Sequence, residues 1–130
     1  MQRKSFLQAV AMGTMGILAP KFSRNMPENN LFIHHVYFWL KNPGSKEDYI
    51  KLLEGLQSLS KVGTIKMSHI GKPADTHRDV IDRSYAVSWL LLFKNKEDQD
   101  KYQADPIHLK FVEQYSHLWA KVTVYDSVDA

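Results

Sequence analysis

The sequence predicts an α+β domain of ferredoxin-like βαββαβ order: a four-stranded antiparallel sheet with its helices on one face. Three observations carry this. Residues 31–40 and 85–93 are dense in β-branched and aromatic side chains, as strands are. Between them, Tyr49, Leu52, Leu53, Leu56 and Leu59 recur at helical spacing. Ahead of a last apolar stretch, Asp105-Pro106 forces a helix start: Asp is a good N-cap, and proline loses nothing at the first helical position.

In chain order, residues 31–40 form the first strand, broken by Asn42-Pro43-Gly44. Ser45 with Asp48 three residues later is a capping-box-like start for a helix that ends near Gly63. Residues 64–70 read as a second strand closed by Gly71-Lys72-Pro73, and residues 74–83 as a polar connection. Residues 85–93 are too apolar for a half-exposed strand, so this strand is central and covered on both faces. Residues 95–104 form a short helix, 105–116 another, and 119–125 the last strand.

On the strand period of two, His35, Tyr37 and Trp39 share one face, opposite Val36, Phe38 and Leu40. Tyr85, Val87, Trp89, Leu91 and Phe93 line up opposite Ala86, Ser88, Leu90 and Leu92. Helices cover one face only. The second aromatic-rich face is too large to leave in water, so a second copy covers it about a two-fold axis, giving a dimeric α/β barrel. The His35-Tyr37-Trp39 face is expected to turn towards the barrel interior.

The net charge of +3 is concentrated at the N-terminus. Residues 1–24 hold Arg3, Lys4, Lys21 and Arg24 and no acid, leaving 13 basic against 14 acidic side chains in the rest. No basic stripe survives that subtraction, which excludes a nucleic-acid partner. Residues 1–24 read as an export signal, with a basic start and an apolar run over residues 9–19 too short to span a bilayer. Arg3-Lys4-Ser5-Phe6-Leu7-Gln8 resembles the twin-arginine pattern, with lysine for the second arginine. A polar linker, residues 25–30, leads to one domain, residues 31–130. The expected location is periplasmic or extracellular, with no stable membrane span once the signal is removed and a retained anchor as the alternative. With no cysteine, disulfide and thiolate chemistry are excluded.

Tyr102-Gln103-Ala104-Asp105-Pro106-Ile107-His108 places a phenol and an imidazole around the forced helix start. His108 falls in the first turn, where the positive helix end disfavours an imidazolium, so the ring is a candidate general base. A capping or packing role is the alternative. His34 and His35 point to opposite faces and cannot chelate one ion together, and His69 adds no recognised ligand spacing, so no metal is expected. Trp119 reads as core packing at a strand entrance, and Thr76-His77-Arg78-Asp79 as a solvated turn or a lid.

Ile33-His34-His35-Val36-Tyr37-Phe38-Trp39-Leu40-Lys41, the element order, and Tyr102 with Asp105-Pro106-Ile107-His108 before the last strand resemble the stress-responsive dimeric α/β-barrel (Dabb) family over residues 31–128. The resemblance implies a homodimer whose two sheets close into a barrel. Members include plant stress proteins and a plant polyketide cyclase, olivetolic acid cyclase. By similarity to that cyclase's motif, the candidate catalytic residues are His35, Tyr102, His108 and Asp126. The histidine would remove an acidic proton beside a carbonyl, and the tyrosine would donate to the developing oxyanion. The chain departs from the cyclase at the third strand, where Val87 replaces a second histidine, and in the bulk of Tyr37, Trp39 and Trp89.

Two functional classes stand. One is an exported homodimer that binds a small aromatic or apolar molecule in the barrel cavity, lined by Tyr37, Trp39, Tyr85, Val87, Trp89 and Val124. The other is a cofactor-free enzyme using His108 as base for an aldol-type cyclisation or isomerisation, or a quinol-type monooxygenase. None of these readings requires a cofactor.

Overall fold

A computed structural model describes residues 31–130, so the expected export segment and linker lie outside the described residues. The order is β1 (Phe32–Leu40), α1 (Lys46–Leu59), β2 (Ile65–Gly71), β3 (Val87–Phe93), α2 (Lys96–Ala104), α3 (Pro106–Tyr115), a 3₁₀ turn (Ser116–Leu118) and β4 (Trp119–Val128). The strands form one antiparallel sheet in the order β2-β3-β1-β4. This is the ferredoxin-like α+β fold, with β3 inside the sheet as its apolar sequence requires. Among the described residues no helix is long and apolar enough to cross a membrane.

Local chemistry sets the helix starts. Ser45 caps α1 by accepting from Asp48 N at 3.1 Å, and Asn95 caps α2 by accepting from Asp98 N at 2.8 Å. Asp105 closes α2 and opens α3, its carboxylate accepting from Ile107 N at 2.8 Å. α1 stops at Leu59, earlier than the Gly63 expected, because the chain then tightens into i→i−3 bonds, Lys61 N–H to Ser58 O and Val62 N–H to Leu59 O, each 3.2 Å. β4 runs three residues past the expected end, held by β1 as far as the Phe32–Val128 pair.

The core lies between the sheet and the helices. Phe32, Val36, Phe38 and Leu40 from β1, and Val87, Trp89, Leu91 and Phe93 from β3, pack beneath Leu52, Leu56 and Leu59 of α1, Tyr102 of α2 and Phe111 of α3. α1 meets α3 closely at Gly55, where a Cβ would stand 2.9 Å from the Tyr115 ring and 3.0 Å from that of Phe111. Trp119 packs on Phe38 and Phe111, with ring centroids 4.9 and 5.8 Å away, in the packing role expected of it.

The opposite sheet face carries Ile33, His35, Tyr37 and Trp39 of β1, all half-buried, with Leu90 and Leu92 of β3. Tyr85 joins this face. Its ring lies 4.8 Å from Tyr37 and 6.4 Å from Trp39, because the chain bends at Ala86 before β3 begins. The alternation expected to align Tyr85 with Val87 therefore fails at that bend.

Candidate functional site

The first turn of α3 and the last turn of α2 bring His108 and Tyr102 together, with ring centroids 4.8 Å apart. Asp105 supplies the geometry, ending one helix and starting the next with no linker between them. Tyr102 is buried against Phe93, and its hydroxyl accepts from Trp89 Nε1 at 3.1 Å. Burial pushes the phenol pKa well above its ordinary value, and the Trp89 bond offsets this only in part, so the group stays a neutral donor.

His108 is half-buried among these groups, and its Nδ1 has no hydrogen-bond partner among the described residues. Burial lowers its pKa first. The Gln103 main chain and the Asp105 carboxylate oppose this, while His34 adds to the lowering. The ring is neutral, as expected from its place on α3, but burial rather than the helix end is the main cause.

The strand-one histidine at this site is His34, not His35. His34 is buried on the helix side of β1, 5.8 Å from the Tyr102 ring, and its Nδ1 lies 2.6 Å from Asp126 Oδ1. β4 delivers that carboxylate through register: His34 stands opposite Asp126, as Val36 stands opposite Val124. Asp126 is thus brought against the imidazole of His34 and not that of His35. His35 points to the other face, where its ring stacks on Tyr37 at 4.4 Å. Burial, then His69 and His34, lower its pKa.

The residues expected to line one cavity divide between the two faces. Val87 and Trp89 are buried beneath the helices, and Val124 lies on the helix side of β4. Tyr37, Trp39 and Tyr85 form, with Asp82 and Tyr125, a separate hollow of about 290 Å³ on the open face. There Trp39 Nε1 donates to Ser84 Oγ at 3.0 Å, and Lys121 Nζ sits 4.5 Å from the centre of the Trp39 ring. Of the catalytic candidates, Tyr102, His108 and Asp126 therefore sit on the helix side of the sheet, and His35 alone is on the open face. The 74–83 loop is exposed and closes on itself through Arg83 Nε to Ala74 O at 2.8 Å, and Asp82 at its end faces the open-side hollow.

The helix-side pocket measures about 350 Å³. Val36, Phe38, Trp89, Phe111 and Trp119 supply apolar wall, while His34, Tyr102, Gln103, His108 and Ser116 supply polar groups. Its mouth lies between α3 and β4, where Val112, Val122 and Val124 are 40, 43 and 45% exposed. None of the lining residues is Lys or Arg. The arrangement can hold a small uncharged molecule against a neutral phenol and two imidazoles, and can pass a proton to or from it.

The sequence model of the stress responsive A/B barrel domain, Dabb, matches residues 33–129. Among solved structures, a Dabb family protein with a ferredoxin-like fold from Mesorhizobium loti is 19% identical with a TM-score of 0.65, the match covering 78% of this chain and 98% of that one. A dimeric ferredoxin-like protein of unknown function from Thermobifida fusca is 11% identical with a TM-score of 0.64, covering 81 and 96%. Hydroxynitrile lyase from Passiflora edulis is 17% identical with a TM-score of 0.65, covering 79 and 96%. No curated protein matches the sequence.

Proposed function

The chain belongs to the stress responsive A/B barrel domain family, and from that premise we propose that it is a homodimer whose helix-side pocket takes up one small, uncharged aromatic or apolar molecule. The observation that carries this is the apolar pocket of about 350 Å³ with Tyr102, His34 and His108 on its wall and no cationic side chain. Pairing of two copies is supported by the half-buried face of Ile33, Tyr37, Trp39, Leu90 and Leu92, and by structural neighbours described as dimeric. The basic and apolar pattern of residues 1–24 supports export, and cell fractionation of the full chain tests that part.

Trp89 and Trp119 line the pocket, so tryptophan fluorescence reads its occupancy. Benzaldehyde, acetophenone and phenylacetone are titrated into the full chain and into Val124→Arg, which places a long charged side chain at the mouth. Saturable quenching by at least one probe, lost in the variant, is the expected result. Quenching that stays linear for all three, or survives Val124→Arg unchanged, overturns the reading.

A second reading, a cofactor-free acid–base enzyme acting on a carbonyl compound, is favoured by one observation. Tyr102, a donor held neutral by burial, stands between two imidazoles, with ring centroids 4.8 and 5.8 Å away. The hydroxynitrile lyase among the structural neighbours shows that this fold accommodates a lyase.

A further inference from the structure

The open-face hollow of about 290 Å³ is walled by four aromatic rings and one carboxylate, those of Tyr37, Trp39, Tyr85, Tyr125 and Asp82. Different elements deliver them. The two-residue period of β1 puts Tyr37 and Trp39 on one face, β4 brings Tyr125 by pairing it opposite His35, and the bend at Ala86 turns Tyr85 in beside them. The rings stand steeply to one another, at 69° for Tyr37 and Tyr85, 75° for Tyr37 and Tyr125, and 79° for Trp39 and Tyr85. None of these three pairs is stacked flat, so π surface is left for a guest.

Part of the wall is held in place by the chain itself. Ser84 takes the Trp39 Nε1 hydrogen on its hydroxyl at 3.0 Å and gives its main-chain N–H to Asp82 Oδ1 at 2.8 Å. One residue thus ties the indole to the carboxylate. The Ser84 hydroxyl and N–H also hold the Asp82 pKa below its ordinary value, so the group is an anion at neutral pH.

What this surface attracts is visible in the fold. The Lys121 ammonium lies 4.5 Å from the centre of the Trp39 ring, within the range of a cation–π contact. Lys121 is not among the residues that line the hollow, whose one charged side chain is Asp82. An aromatic wall with a single carboxylate favours a cation over a neutral or anionic guest. An ammonium bearing N–H groups would give up water that ring faces cannot replace, whereas a quaternary ammonium presents methyl groups that hold water weakly and pack on rings.

We propose that the open-face hollow binds a small soluble quaternary ammonium compound of choline size, with the Trp39 and Tyr85 rings against its methyl groups and Asp82 facing its charge. This site is separate from the helix-side pocket, on the other side of the sheet. Ile33 and Leu92 pair at the opposite end of β1 from Trp39, so the Trp39 end is the way in when two copies cover this face.

The three tryptophans give the test its readout, because Trp39 lines the hollow while Trp89 and Trp119 line the helix-side pocket. Choline and its uncharged isostere 3,3-dimethylbutan-1-ol are titrated into the full chain at matched ionic strength, and the indole N–H resonances are followed by nitrogen-15 NMR. Trp39→Phe assigns the Trp39 signal. Choline is expected to move that signal alone and saturably, and to bind at least about tenfold more tightly than the isostere. Tyr85→Leu should weaken choline binding by about three- to thirtyfold. Asp82→Asn keeps an acceptor for the Ser84 N–H and removes the charge, so it should weaken choline by about two- to fivefold and leave the isostere unchanged. Damage to the wall would weaken both ligands alike. If Tyr85→Leu fails to fold, as circular dichroism would show, Asp82→Asn decides through the ratio of the two affinities. No saturation of the Trp39 shift by about 20 mM choline, an isostere bound as tightly, a ratio unchanged in Asp82→Asn, or movement of the Trp119 signal instead overturns the proposal.

Discussion

Trp89 Nε1 donates to Tyr102 Oη across 3.1 Å in a part of the core where each residue is only 1% exposed. The bond uses the phenol oxygen as acceptor and leaves its hydrogen to be given elsewhere. It also means that the hydroxyl has a structural duty besides any chemistry.

Tyr102→Phe should therefore destabilise the fold although the ring is kept. The Trp89 N–H would be left buried without an acceptor, which costs about 1–3 kcal/mol. Urea denaturation of parent and variant at one protein concentration measures it. A shift near zero would mean that another group or a water takes up the indole hydrogen.

Gly55→Ala tests the α1–α3 crossing. Alanine is the better helix former by about 1 kcal/mol, but its methyl would stand 2.9 Å from the Tyr115 ring. Overpacking of this kind costs about 1–3 kcal/mol, so the net result is destabilisation by about 1 kcal/mol, read as a lowered melting temperature. A stabilised variant would show that the Tyr115 ring yields freely.

Stability should fall as the solution is acidified below the ordinary histidine pKa of 6.5. His35 and His108 both have lowered pKa values in the folded chain, each chiefly from burial. The unfolded chain then binds protons that the folded chain refuses. The stabilising contribution is complete above 6.5 and is lost as pH falls through the folded values. Unfolding midpoints at fixed protein concentration should decline from about pH 7.5 to about pH 5.5, with a shallower decline in His108→Gln. An unchanged slope in that variant would remove His108 from the account.

Leu90→Lys tests the open face. Leu90 lies between His35 and His69 across three strands, in the middle of the half-buried side chains. A lysine there would have to be desolvated on pairing, and the parent dimer should give way to a monomer at micromolar concentration in sedimentation velocity. A parent that sediments as a monomer would refute the homodimer directly.

The helices were legible because their signals are local. Ser45, Asn95 and Asp105 each cap through a contact two or three residues away, so a short stretch of sequence carries the instruction. The face of β1 that meets the helices was harder to read. Both parities, Val36-Phe38-Leu40 and Tyr37-Trp39, are bulky and apolar, and only pairing with β4 sets His34 rather than His35 beside Tyr102. The more aliphatic parity is the buried one, and that difference was the available signal. Tyr85 was misaligned because a two-residue period cannot register the bend at Ala86.

Sequence separation divides the site into two halves with different histories during folding. Tyr102 and His108 lie within one short peptide bent at Asp105, so their approach needs almost no loop closure and can form as early as the two helices do. His34 and Asp126 are 92 residues apart and meet only when an edge strand zips onto β1. Edge strands are the first to fray. A chain that loses only the end of β4 keeps its phenol–imidazole pair and most of its core, but leaves His34 without its carboxylate, so local opening at one edge would take this polar cluster apart well short of global unfolding.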